Sequence, residues 1–296
     1  MARSEDATGT PGPLKESRWE GPLVFDQLIF SGGGTRCFWQ GGFLDVVRRG
    51  IDLDPSRIAS VSGGALGAAA YIAHRGNDLL ALMKGKFAAQ DRNVTWHDLT
   101  DDDGLSPHQR IYREVAEELL DADTIRKIVD GPSYEVLLGH PPGDSESRAA
   151  GILSTLVYEV ELHLINAPHF GWAEKLGLSF SKIDARQAAR DGQLADLVVA
   201  AAAIPPVFDM PRWNDRPVVD GGMADQAPMP SDDHGATLVM LTRDYDRLPA
   251  HDDRLYVGPS EETPADKIDF TDPDKIQRTW DIGRRDGEAF LKAHGI

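Results

Sequence analysis

Phe25-Asp26-Gln27-Leu28-Ile29-Phe30-Ser31-Gly32-Gly33-Gly34-Thr35-Arg36 is an apolar run stopped by three glycines. Beyond it, apolar residues recur at helical spacing from 38 to 49, so the stretch reads as strand, tight turn, helix. The pattern then repeats. Arg57-Ile58-Ala59-Ser60-Val61 is a brief strand, Ser62-Gly63-Gly64 a turn, and residues 65 to 74 a helix of small side chains. Two parallel strands, each feeding a helix through a glycine turn, imply an α/β sheet whose site lies at the carboxyl ends of the strands.

Outward from this core, amphipathic helices are expected over residues 77 to 91 and 109 to 129. An acidic loop over 92 to 107, with Trp96, His97 and Asp101-Asp102-Asp103, separates them. A Gly-, Pro- and Ser-rich stretch over 139 to 148 reads as a loop. Later strands are expected near 178 to 180, 217 to 219, 237 to 241 and 254 to 257, and a last helix over 274 to 292. Residues 1 to 20, rich in Gly, Pro, Ser and charge, read as a disordered or loosely packed N-terminal arm. Residues 21 to 296 then form one catalytic domain, a size at which a single large core is common.

Composition narrows the function classes. A formal net charge of −17 repels a polyphosphate backbone, and no block of Lys and Arg offsets it, so nucleic acid is not an expected partner. The same charge opposes anchoring on an anionic membrane, so any transient membrane-surface contact would rest on apolar or aromatic surface. Cys37 is the single cysteine, and the polar start of the chain has no apolar stretch resembling a signal peptide, which together point to a reducing cytoplasm. The longest apolar run, 197 to 204, falls well short of the ~20 residues that cross a bilayer.

Three segments carry chemistry. Ser62, between a strand and a small-residue helix, has the setting of a nucleophile elbow, whose sharp turn holds a hydroxyl clear of the backbone beside free helix N–H groups. A plain helix-capping serine fits the same residues. Gly32-Gly33-Gly34-Thr35-Arg36 places unobstructed amides at the same sheet edge, where each such donor can stabilise an oxyanion by ~3 kcal/mol. A nucleotide-binding turn would need a third glycine where Cys37 stands, and a purely structural reversal of the chain is the other reading. Val218-Val219-Asp220-Gly221-Gly222 ends a β-branched run in a carboxylate that, desolvated and aimed at a hydroxyl, acts as a base. An ordinary Asp-Gly hairpin is the alternative there.

In this order the three segments resemble the patatin-like phospholipase family, which is marked by a Gly-Gly-Gly-x-Arg turn, a Gly-x-Ser-x-Gly elbow and a late Asp-Gly pair. Ala201-Ala202-Ala203-Ile204-Pro205-Pro206-Val207-Phe208 is similar to the family's stretch upstream of the aspartate, and the likeness spans about residues 25 to 230. The resemblance implies a three-layer α/β/α sandwich with a mostly parallel central sheet, and a Ser62–Asp220 dyad that uses no histidine. It implies an oxyanion hole from Gly32, Gly33, Gly34, Thr35 and Arg36, supporting turns at Gly63, Gly64 and Gly221, a lipid or acyl-ester substrate, and no cofactor. Two residues depart from the pattern. Ser60 replaces the elbow's first glycine, and Cys37 stands where the family usually has glycine after the arginine.

Rival readings stay open at this level. A histidine-dependent α/β-hydrolase would draw its base from His234 or His251, and a catalytically silent binding protein would keep the fold alone. No metal is expected: the sequence has no His-Glu-x-x-His pair, and Asp101-Asp102-Asp103 lacks the glycine and final glutamate of a calcium loop. Trp96, Phe170, Trp172, Phe208 and Trp213 are read either as lipid-facing or as ordinary packing.

Overall fold

The computed structural model describes residues 12–89, 107–141, 167–169, 178–204, 210–266 and 269–296. Along the chain come β1 (Lys15–Glu16), β2 (Gln27–Phe30), a 3-10 turn (Gly34–Cys37), α1 (Phe38–Gly50), β3 (Arg57–Val61), α2 (Gly64–Ile72) and α3 (Gly76–Ala88). After them stand α4 (Pro107–Leu119), α5 (Ala122–Asp130), β4 (Ser133–His140), β5 (Ser179–Asp184), α6 (Ala185–Arg190) and α7 (Leu194–Ala201). The chain closes with β6 (Arg212–Trp213), β7 (Arg216–Pro217), β8 (Val219–Asp220), a second 3-10 turn (Gly221–Met223), β9 (Thr237–Met240), β10 (Arg254–Gly258) and α8 (Pro273–Ala293).

The main sheet runs β1-β10-β9-β2-β3-β4-β5, with β8 also on β4. The pairs β10/β9, β9/β2, β2/β3 and β3/β4 are parallel, whereas β1, β5 and β8 join antiparallel. This is a mixed, mostly parallel sheet flanked by helices, as the sequence leads one to expect. Its central strands are buried on both faces, which is why they read as unbroken apolar runs. Leu28, Phe30, Ile58, Val136, Leu238 and Leu255 share one core with the helices. Ile29, Ala59, Val239 and Tyr256 form a second, smaller core with Ala227, Leu241 and Tyr245.

β4 explains how distant parts of the chain meet. One edge of β4 is covered by β5 over residues 135 to 140. The other is shared: β3 pairs with it in parallel up to Val61↔Leu137, and β8 takes over antiparallel at Asp220↔Leu138. The residue after Val61 and the carboxylate of Asp220 therefore leave neighbouring positions on one strand.

Several expectations change here. Strand β4 was not anticipated, and it includes Gly139 and His140, which the sequence reading placed in a loop; residues 142 to 148 of that loop lie outside the described residues. The single helix expected over 109 to 129 is two, because Asp121 ends the first segment and caps the second, accepting the Thr124 amide at 2.9 Å. The strand expected near 217 to 219 is split between β7 and β8, and the one near 178 to 180 continues to Asp184. Within the expected N-terminal arm, Lys15 and Glu16 pair with Gly258 and Val257 of β10. Trp213 is buried in the β6–β7 hairpin, while Trp96, Phe170, Trp172 and Phe208 lie outside the described residues.

Candidate active site

Ser62 is the first residue beyond β3 and has a φ of 56°, a left-handed conformation that costs a non-glycine residue about 1–3 kcal/mol. The reversal it makes is tight. A Cβ at Gly64 would come within 2.6 Å of the Phe30 and Ser31 carbonyl oxygens, and one at Gly63 within 2.6 Å of the Gly34 oxygen. Both glycines are thus required by close backbone approach, and Gly63 brings the elbow against the glycine turn. The Ser62 hydroxyl does not cap α2, whose cap residue is Gly63 without a side-chain bond. It donates instead to Asp220 Oδ2 at 2.6 Å, with both residues buried.

Asp220 is held from two directions. Its amide donates to the Ala203 carbonyl at 2.8 Å, and its Oδ1 accepts the Gly222 amide at 2.7 Å, capping the short 3-10 turn behind it. Gly221 has to be glycine because a Cβ there would sit 2.5 Å from the Leu137 carbonyl oxygen on β4. The Asp-Gly pair is accordingly a docked strand end, and the hairpin reading fails.

The glycine turn divides by role. The Gly32 amide, one of the expected oxyanion donors, is taken by the Gln226 carbonyl at 2.9 Å, and the Arg36 amide by the Gly33 carbonyl at 3.2 Å. Among the described residues no acceptor takes the amides of Gly33, Gly34 or Thr35, the free N–H groups expected at a helix start. Gly34 has a φ of 59°. Thr242 Oγ1 donates to the Gly32 carbonyl at 2.6 Å, and the Thr35 hydroxyl donates to the Asp266 carbonyl, so the turn is pinned at both ends. Burial lowers the pKa of the Arg36 guanidinium, and nearby Arg243 adds to this, while Asp266 and Glu262 act in the opposite direction.

Both departures from the family pattern are accommodated. Ser60 is buried and donates to the Tyr134 hydroxyl at 3.2 Å, which donates to the Ala65 carbonyl at 2.7 Å, tying the strand before the elbow to the helix after it. Cys37 has a right-handed helical backbone, φ −61°, so the position does not need glycine; its thiol lies 3.5 Å from the Ser31 carbonyl.

Ser62 opens onto a cavity lined by Gly34, Thr35, Cys37, Leu66, Met83 and Tyr112 among others, with apolar surface predominating. Burial raises the Tyr112 pKa well above the usual phenol value, so that wall stays neutral.

His234 and His251 do not reach this site. His234 is exposed and bonds Asp232 at 3.0 Å, and its carbonyl accepts from Arg57 at the amino end of β3, whereas Ser62 follows the carboxyl end. His251 is exposed ahead of β10. Among the described residues the hydroxyl of Ser62 has Asp220 as its partner.

A family model described as patatin-like phospholipase matches residues 28–232. The chain belongs to the patatin-like phospholipase family. The match takes in the glycine turn, the elbow and the Asp-Gly pair, and the family supports hydrolysis of lipid esters in general terms. No curated protein matches the sequence. In fold, this chain is similar to the crystal structure of VipD from Legionella pneumophila, with a TM-score of 0.52 at 12% identity over 98% of this chain and 72% of that one. No helix among the described residues is long and apolar enough to cross a membrane.

Tyr134, Thr242 and Gln226 were not singled out from the sequence. Thr242 follows β9 at the carboxyl edge of the sheet, where the topology places a site, but one threonine there carries no signal of its own. Tyr134 belongs to the strand that was missed.

Proposed function

We propose that this chain is a serine acyl hydrolase that cleaves the carboxylic ester of a glycerolipid or similar acyl ester, with Ser62 as nucleophile and Asp220 as general base. The hydrogen bond of 2.6 Å between them, with Ser62 lining an apolar cavity, carries the reading. Ser62 Oγ adds to the ester carbonyl carbon as its proton passes to Asp220 Oδ2. The carbonyl oxygen becomes an oxyanion held by the amides of Gly33, Gly34 and Thr35, where each donor contributes about 3 kcal/mol. Collapse breaks the bond to the alcohol, which leaves with the proton from Asp220. Water, deprotonated by the same carboxylate, adds to the acyl-enzyme, and the second tetrahedral species releases the fatty acid and returns the proton to Ser62.

Gly32, which the family likeness implies is among the donors, serves in this reading as the fixed base of the turn. Mass spectrometry of the products from a mixed lipid extract tests the proposal. Wild-type protein is expected to release free fatty acid and Ser62→Ala to release none while melting cooperatively; equal release by the two would leave only a binding protein with this fold.

A further inference from the structure

The cavity lined by Ser62 is also lined along α2. Gly63, Gly67 and Ala70 line it, and at 1.5 Å per helical residue this face is about 10 Å long. Next to it lies a second pocket, lined by Asp45, Arg48, His74 and Asn77 among others. The two cavities share Gly41, Gly67, Gly76 and Trp280. Three of these have no side chain, so the indole of Trp280 supplies the bulk of the partition. The glycines make room for it: a Cβ at Gly41 would lie 2.3 Å from the ring, and one at Gly76 3.3 Å from it. Trp280 itself is buried, on the cavity-facing side of α8.

We infer that Trp280 sets the length of acyl chain this site accepts, by closing the apolar cavity against the adjoining pocket, whose lining includes the charged Asp45 and Arg48. The inference rests on the proposed hydrolysis at Ser62 and adds the substrate class: esters of medium-length chains, whose methyl end meets the indole. Longer chains must displace the ring or fold back.

The test is kcat/KM for p-nitrophenyl esters from butanoate to palmitate, measured with wild type, Trp280→Ala and the milder Trp280→Phe. For wild type, kcat/KM should climb about fourfold per methylene while the cavity is filling, then break near octanoate to decanoate. In Trp280→Ala the break should move to longer chains, raising the palmitate-to-octanoate ratio about tenfold, with Trp280→Phe between the two. A break at the same chain length in folded variants overturns the inference. If wild type cleaves no ester, the hydrolase reading fails instead, and binding decides this inference separately. Fatty acids brominated at the terminal carbon should quench tryptophan emission most at medium length, and quenching that is independent of length overturns it.

Discussion

At the residue scale the account turns on the two oxygens of Asp220. One accepts the Ser62 hydroxyl and the other the Gly222 amide, so the carboxylate is aimed by the backbone behind it. Asparagine at this position keeps an oxygen for Gly222 and an NH2 group for Ser62, yet lacks a basic oxygen. Asp220→Asn is therefore expected to lower the rate of fatty-acid release by about 10²–10⁴-fold, as loss of general-base catalysis does, with a melting temperature close to wild type. A parallel loss of stability, read by thermal unfolding, would make Asp220 a structural residue. The residues proposed for this chemistry stand out in the sequence because glycine, serine and aspartate at a strand end are punctuation with a mechanism. What the sequence hid was which amides are free: Gly32 and Gly34 look alike until Gln226 arrives to occupy one of them.

At the element scale the strand pairing around β4 positions Ser62 beside Asp220, and this was the least legible part. The strand–turn–helix units built on β2 and β3 announce themselves locally. The docking of a two-residue strand, β8, onto β4 is a tertiary event with no periodicity to reveal it. Gly221→Ala tests the element directly, since its methyl would collide with the Leu137 carbonyl and push β8 off its rail. Because a misplacement of about 1 Å can cost about 10²-fold in rate, kcat/KM is expected to fall at least that far. The control is Gly283→Ala, where a Cβ would lie 2.1 Å from the Trp39 carbonyl at the crossing of α8 and α1. That variant should lose about 1–3 kcal/mol in urea unfolding, and its loss of turnover per folded molecule should be the smaller. The reverse pattern would mean that β8 does not position Asp220.

At the scale of the whole molecule, 48 acidic residues against 31 basic ones leave a net charge of −17 around an apolar cavity. Approach to an anionic lipid surface is opposed by this field, and salt shortens its range from about 30 Å at about 0.01 M to about 10 Å at about 0.1 M. Hydrolysis of anionic vesicles should therefore rise with salt over that range while hydrolysis of zwitterionic vesicles changes little; a fall on anionic vesicles would point to a basic docking patch. The overall α/β architecture was readable because repeated strand–turn–helix units allow few topologies. Substrate length was not, because the partition at Trp280 is built from four helices that meet only in the folded chain. The most direct measurement of the central claim is covalent labelling by a fluorophosphonate, followed by peptide mass spectrometry. The account predicts one adduct, on Ser62, formed rapidly by wild type and far more slowly by Asp220→Asn; an unlabelled Ser62, or labelling at equal rates in the two proteins, would contradict it.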